Sequence, residues 1–143
     1  MSIKQQLMTD MKEAMRAREM DKLGAIRFLM SEIKNCEIDH GEQDDAGIEK
    51  VIMSQIKKMN DAIGDYQRGG REDLVRQEEQ KVNWLKAYLP KQLGDEEIKK
   101  IIGEVAEKMG KDNMGMIIGE TMKEVGSKAD GSRVSALVRE MLA

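Results

Sequence analysis

The sequence predicts an all-α fold: an N-terminal bundle of about four longer helices followed by a small three-helix C-terminal domain. Apolar residues recur at steps of three and four along nearly the whole 143-residue chain, which is the spacing of amphipathic helices. The chain has a single proline, and aromatic residues make up only 3% of it. These two observations argue against an all-β fold built from aromatic and β-branched strands.

The first two helices are predicted from apolar stripes within residues 3–15 and 23–33. Asp21 is placed to cap the second helix, because a short carboxylate side chain can accept a hydrogen bond from the first backbone N–H groups. The stretch 41–47 is acidic and flanked by glycines. We therefore expect an exposed loop there.

A long third helix is predicted over about residues 48–67, and a fourth opens near Arg71 after the glycine pair 69–70. Pro90 has no N–H for a helical hydrogen bond and restricts the residue before it, so the fourth helix ends or kinks by that point. We therefore define residues 1–90 as an N-terminal helical domain.

Three short helices are predicted in a C-terminal domain over residues 94–143. Gly110 and Gly126 are placed to end the first two of them, because glycine adopts the positive φ that often follows a helix. The residues available as N-caps are Asp95, then Asp112 or Asn113, then Asp130 or Ser132.

The charge balance excludes a protein coated uniformly with Lys and Arg for nucleic acid, although a local basic patch remains open. The chain has 24 basic and 27 acidic residues and a net charge of -3. Its one cysteine cannot form an internal disulfide. No apolar run approaches the roughly 20 residues of a membrane span, and the N-terminus does not resemble a signal peptide. We expect a cytoplasmic protein with no membrane partner.

The single histidine, cysteine and tryptophan are interpreted as surface or packing residues. His40 has acidic neighbours, but their spacing fits no zinc or calcium loop. Cys36 lies at a helical spacing from His40, yet the end of a helix beside Gly41 gives a Cys–His dyad no fixed geometry. Trp84 is interpreted as packing between the two parts, since so few aromatics give little to stack bases. We predict no catalytic and no metal site.

Gly115 and Gly119 lie one turn apart on one face of a short predicted helix. Because glycine has no Cβ, another backbone can approach this face closely. Helix packing is the usual reason for such a pair in a protein that folds in water. The alternative is a docking face for a partner backbone or for a nucleic-acid sugar-phosphate.

The segment 126–133 places Lys128 and Arg133 on either side of a predicted helix N-terminus. Free N–H groups at that terminus, together with two cations, would suit a phosphate. The alternative is a solvated loop that leads into a capped helix. Asp130 opposes the local positive charge.

Five motifs resemble the GatB/YqeY family across nearly the whole chain. The most specific is Y-L-P-K-Q-L, and Gly94, just after it, stands where the family is expected to have serine. The motifs are I-R-F-L-M-S-E-I-K-N (26–35), G-R-E-D-L (70–74), Y-L-P-K-Q-L (88–93), M-G-M-I-I-G (114–119) and K-A-D-G-S-R-V-S (128–135).

The resemblance implies an accessory protein that binds tRNA. The family's C-terminal module also forms the tail of the GatB component of the tRNA-dependent amidotransferase and is appended to some glutaminyl-tRNA synthetases, where it is thought to help hold tRNA. An amidotransferase or a synthetase is therefore an expected partner, and DNA is not. The residues expected to contact tRNA are Lys123, Lys128 and Arg133, with Gly115 and Gly119 allowing close approach.

Free-standing members of the family tend to carry the label of carbon–nitrogen ligase with glutamine as amido-N-donor. In this chain no residue set is recognised that could activate a carboxylate with ATP or hydrolyse glutamine. We therefore expect no self-contained active site and no cofactor. The alternative function is a protein–protein interaction module that binds through methionine-rich faces and does not touch RNA.

Overall fold

The computed structural model describes residues 1–142, and within that range the chain is all-helical, which confirms the predicted fold class. It divides into two compact units, Met1–Leu89 with four α-helices and a second from Pro90 onward with three. The helices are α1 (Ile3–Ala17), α2 (Met20–His40), α3 (Asp45–Arg68), α4 (Glu72–Lys86), α5 (Asp95–Met109), α6 (Met114–Val125) and α7 (Gly131–Leu142), with a 3-10 turn at Gly126–Lys128.

Helix α2 begins one residue before the predicted cap. Glu19 occupies its N-cap position and makes no capping side-chain hydrogen bond, whereas Asp21 lies inside the first turn. The prediction of Asp21 as a cap is therefore wrong. The Asp21 carboxylate still stabilises the start of the helix, because its negative charge lies near the positive end of the helix dipole.

The predicted loop over 41–47 is wrong in its second half. Helix α3 already begins at Asp45, because the Asp44 carboxylate accepts a hydrogen bond from the Gly47 N–H at 2.9 Å and caps the helix. Asp45 in turn accepts a hydrogen bond from the Ile3 N–H at 3.0 Å and so ties the start of α3 to the start of α1.

The N-terminal unit is built on a hairpin of α3 and α4 against which α1 and α2 pack. Gly70, with φ of +70°, turns the chain between α3 and α4. The buried residues that form the core are Ile3, Leu7, Ile26, Leu29, Ile33, Ile48, Ile52, Ile56, Val82, Leu85 and Tyr88.

Helix α4 ends at Lys86, so Pro90 lies outside it, as predicted. Tyr88 follows the helix and is buried, and its hydroxyl donates a hydrogen bond to Asp10 Oδ2 at 2.5 Å. The segment after α4 is therefore fixed against α1 by one polar contact and by the apolar ring of the tyrosine.

The C-terminal unit packs α5, α6 and α7 around its own apolar core. Before α5, the Leu93 N–H donates to the Lys128 carbonyl at 2.8 Å, which ties the entry of the unit to its 3-10 turn. The buried apolar residues are Ile98, Ile102, Val105, Ala106, Ile117, Val125, Ala129, Val134, Leu137 and Val138.

The helix ends of the C-terminal unit agree with the sequence except at α5. Gly94 is the N-cap of that helix and Asp95 is its first residue, so the prediction of Asp95 as the cap is wrong. Asn113 caps α6 by accepting a hydrogen bond from the Met116 N–H at 3.1 Å. Gly110 and Gly126, both at positive φ, end α5 and α6 as predicted.

None of the helices within residues 1–142 combines the length and the apolar content needed to cross a lipid bilayer.

Candidate nucleic-acid interface

The two glycines of α6 face open space. A methyl group placed on Gly119 would have no neighbouring atom within 4 Å, and one placed on Gly115 would meet only Asn113 Oδ1 at 3.7 Å. Both glycines are exposed. The interpretation that they serve helix packing is therefore wrong for the described residues, and α6 presents a bare strip of backbone, which we call the glycine face.

The opposite side of α6 explains why this face points outward. Ile117, Thr121 and Val125 lie one turn apart and are fully or almost fully buried. The period of 3.6 residues then turns the glycines away from the core. Met116, which is 54% exposed, and Lys123 flank the glycine face.

The start of α7 lies beside the glycine face. Met122 is on the same side of α6 as the two glycines, and its Cε would lie 3.8 Å from a methyl group placed on Gly131, the first residue of α7. The 3-10 turn that carries Lys128 joins the two helices. Within this unit, the start of α7 therefore lies against the Met122 side chain, three residues along α6 from Gly119.

A carboxylate already occupies the N-terminus of α7. Asp130 Oδ1 accepts a hydrogen bond from the Ser132 N–H at 3.3 Å, and the Asp130 carbonyl accepts one from the Val134 N–H at 3.0 Å. Of the two residues predicted as caps, Asp130 is the one that caps the helix. The N–H groups predicted to be free for a phosphate are thus partly satisfied within the chain.

Arg133 forms a two-point ion pair with Asp95 of α5. Its Nε donates to one carboxylate oxygen, and its Nη2 donates to the other at 2.5 Å. This hydrogen bonding lowers the pKa of the Asp95 carboxyl and raises the pKa of the Arg133 guanidinium. Both side chains are exposed to solvent.

The two lysines of the predicted site differ in their pairing. Lys123 Nζ lies 3.2 Å from Glu120 Oε1, one turn earlier on α6. Lys128 is exposed, and no carboxylate within residues 1–142 comes within ion-pair distance of its ammonium group. Its backbone carbonyl, in contrast, is held by Leu93.

Sequence reasoning did not find Asp95 as the partner of Arg133. The two residues are 38 positions apart, and no local pattern connects the start of α5 with the start of α7. The acidic first turn of α5 is the only signal, and it has an ordinary explanation in the helix dipole.

Neither Cys36 nor His40 belongs to a prepared site in the described part of the chain. Both line a polar groove between α2 and α3. His40 is the last residue of α2 and is exposed. No group of three side chains suited to holding a metal ion is found among residues 1–142.

The fold defines a protein of two helical units, with the glycine face in the second. A family model described as "Yqey-like protein" matches residues 4–142. The chain therefore belongs to the YqeY-like protein family. No curated protein matches the chain.

Proposed function

We propose that this protein is an accessory factor that binds tRNA through its C-terminal unit and is related to the glutamine-dependent tRNA amidotransferases. The observation that carries the proposal is the open glycine face of α6, with Lys123 on the same helix and with Lys128 and Arg133 on the turn and the helix that follow it. A partner, either an amidotransferase or an aminoacyl-tRNA synthetase, catalyses the amide formation. The site of action is the cytoplasm.

The glycine face favours a ligand that must approach a helix backbone closely. A glycine in the middle of a helix costs about 0.5–1 kcal/mol relative to alanine, and neither Gly115 nor Gly119 recovers that cost by packing inside the unit. A sugar-phosphate backbone is a ligand of this kind, since its phosphate oxygens and sugars make most of the hydrogen bonds with a protein and must come close to its surface to do so.

The ion pairs at the site are weak enough to exchange. Solvent-exposed ion pairs contribute little to stability because water screens both charges, and the pairs of Arg133 with Asp95 and of Lys123 with Glu120 are both exposed. A phosphate can replace a carboxylate as the partner of a guanidinium with the same two-point geometry. Lys128, which has no carboxylate partner among residues 1–142, is the first cation available to the RNA.

The test is a titration of fluorescently labelled, unfractionated tRNA with the pure protein, followed by anisotropy at about 50 mM and about 200 mM salt. The test variant is Lys128→Ala/Arg133→Ala. The matched control is Lys108→Ala/Arg139→Ala, which removes the same two charge types from the last turns of α5 and α7.

We expect saturable binding that the test variant weakens by at least about tenfold, because each charge-assisted contact is worth about 1.5–3 kcal/mol. The control is expected to stay near the unmodified protein. Absence of binding at the lower salt, or an equal loss in both variants, would contradict the proposal. In the first case the search turns to protein partners.

A further inference from the structure

The N-terminal unit has an apolar groove of about 790 Å³ between α2 and α4, with α3 as its floor. Large apolar side chains line it from all three helices. Phe28 is 55% exposed and Met20 is 66% exposed, both on α2. Met59 of α3 and Trp84 of α4 are half-buried. That Trp84 packs between the two parts stays a prediction, but within this unit its side chain lines the groove.

One wall of the groove permits close approach of a backbone. Gly24 and Ala25 lie on α2 between Met20 and Phe28. A methyl group placed on Gly24 would have no neighbouring atom within 4 Å. Two small residues between two large apolar ones form a notch that a helix backbone can enter.

Among the described residues, the groove has more basic side chains without an ion-pair partner than acidic ones. No carboxylate within residues 1–142 forms an ion pair with Lys58 or Arg76. Lys81 is paired with Glu78 at 3.0 Å. The remaining acid, Asp21, lies in the first turn of α2, where the helix dipole offsets its charge.

We propose that this groove binds an amphipathic helix of a partner protein, with large apolar residues at i, i+3 or i+4, and i+7 and with acidic residues on its flanks. The spacing follows from a groove walled by two helices, which a third helix fills with one apolar stripe. The acidic flanks follow from Lys58 and Arg76. This inference concerns the N-terminal unit and does not rest on the proposed tRNA site.

The lining favours a helix over single-stranded RNA. The groove offers two aromatic side chains and two methionines, whereas single-strand binders stack successive bases on aromatics interleaved with cations. Methionine adapts its shape to other apolar side chains and is common at helix-binding surfaces.

Charge also argues against a second copy of this chain as the occupant. The exposed Met8 and Met15 give α1 an apolar stripe of its own. Lys12 and Arg16 lie beside that stripe and would repel Lys58 and Arg76 at the groove.

The experiment selects binders from an unbiased phage-displayed library of peptides of about 16 residues, a length that forms a helix when it is docked. The full-length protein is the only target of the selection, and Phe28→Ser is the test variant in the binding measurements that follow. Ile38→Ser is the matched control, because Ile38 is an apolar residue of α2 that is 72% exposed and does not line the groove. Thermal unfolding checks that both variants fold.

Binding of the selected peptides is then measured in solution by fluorescence. The chain has one tryptophan, Trp84, so its emission reports directly on the groove. We expect enriched peptides with helical apolar spacing and acidic flanks, a blue shift of Trp84 emission, and affinity at least about tenfold weaker for Phe28→Ser. Ile38→Ser is expected to bind as the unmodified protein does.

Three outcomes overturn the inference. The first is a failure to enrich peptides with helical spacing and acidic flanks, or equal binding of the selected peptides to Phe28→Ser. The second is a concentration-dependent dimer, seen by sedimentation, that Phe28→Ser dissociates. The third is saturable quenching of Trp84 by an oligoadenylate that Phe28→Ser abolishes, which would assign the groove to RNA.

Discussion

Thr121 places a polar hydroxyl group in the apolar core of the C-terminal unit. It is fully buried between the helices of the C-terminal unit, and its hydroxyl oxygen has no hydrogen-bond partner among the residues that the structure describes. A buried hydroxyl without a partner costs about 1–3 kcal/mol. A methyl group of the same size in its place removes that cost without opening a cavity.

We therefore expect Thr121→Val to raise the free energy of unfolding of the C-terminal unit by about 1 kcal/mol. Urea denaturation followed by circular dichroism measures this change. Thr121→Ser is the control, since it keeps the hydroxyl and removes a methyl group, and it is expected to lower stability. A loss of stability in Thr121→Val would show that the hydroxyl does find a partner.

Tyr88 lowers the stability of the N-terminal unit at alkaline pH. Burial, and then its hydrogen bond to Asp10, raises the pKa of the phenol well above its ordinary value. The native fold thus favours the neutral phenol. Its contribution to stability is complete below about pH 10, where the unfolded chain's tyrosine titrates, and is lost as the pH rises toward the higher native pKa.

We expect the stability of the unmodified protein to fall more steeply above about pH 10 than that of Tyr88→Phe. Chemical denaturation at a series of pH values measures the difference. Tyr66→Phe leaves the buried phenol in place and is expected to follow the unmodified protein. Parallel curves for Tyr88→Phe and the unmodified protein would show that Tyr88 does not lower the stability at alkaline pH.

At the scale of the helix, α6 combines low intrinsic stability with an open face. The two exposed glycines weaken the helix, and its capping depends on Asn113. If the glycine face lets tRNA approach the backbone of α6 closely, then a methyl group placed there should strengthen the helix and also obstruct the tRNA. Such a substitution should therefore weaken tRNA binding. Stability and tRNA affinity would then change in opposite directions, which ordinary damage to the fold does not produce.

Gly119→Ala is expected to raise stability by about 0.5–1 kcal/mol and to weaken tRNA binding. Thermal unfolding and the anisotropy titration measure the two quantities. Gly103→Ala in α5 is the matched control, because a methyl group there also meets no atom within 4 Å. It should gain similar stability and keep its affinity. Unchanged affinity in Gly119→Ala would remove the glycine face from the interface.

The ion pair between α5 and α7 restrains Arg133 through Asp95. Its hydrogen bonds lower the pKa of that carboxyl, so the pair's contribution to stability is present above about pH 4 and is lost as the pH falls through the lower native pKa. Near neutral pH the restraint on Arg133 is therefore fully in place.

Asp95→Asn is expected to tighten tRNA binding by more than Glu97→Gln, which removes one negative charge from the same turn of α5 without releasing Arg133. The reason is that a guanidinium without a carboxylate partner is available to a phosphate. Anisotropy titrations of both variants measure the difference. Equal affinities would indicate that only the net charge matters and that Arg133 does not contact the RNA.

At the scale of the whole molecule, the net charge of -3 gives tRNA no long-range attraction. Binding must then depend on the few cations at the glycine face. Each phosphate neutralised contributes about -0.9 to the slope of log affinity against log salt for duplex nucleic acid, and about -0.7 for single strands. The three cations of the proposed site set the size of the expected slope.

We expect a slope of about -2 to -3 for tRNA binding by the full-length protein. Titrations at several salt concentrations measure it. Lys128→Ala/Arg133→Ala should reduce the slope by about two, and the Lys108→Ala/Arg139→Ala control should not change it. A slope near zero would favour an apolar interaction surface over an RNA site.

Most of the fold was predictable from local patterns. The apolar stripes indicated every α-helix, and the glycines at 110 and 126 indicated where two of them end. The errors lie at helix starts, at Asp21, Asp45 and Asp95. A carboxylate near the start of a helix stabilises it from the cap or from the first turn, so the residue type alone does not distinguish these positions.

The sequence by itself determined the helical class, the approximate helices and the list of chemically suitable residues, because these depend on periodicity and on residue type. Tertiary structure decided how those residues are used. Within the described residues 1–142, it left Gly115 and Gly119 uncovered, paired Arg133 with Asp95, and left Lys128 without a carboxylate partner. These outcomes depend on which faces of α5, α6 and α7 meet. The helical period already turns the two glycines away from the apolar stripe of α6. Whether another segment covers them, and which carboxylate pairs with Arg133, is decided by packing between distant segments, which the local spacing of residues does not specify.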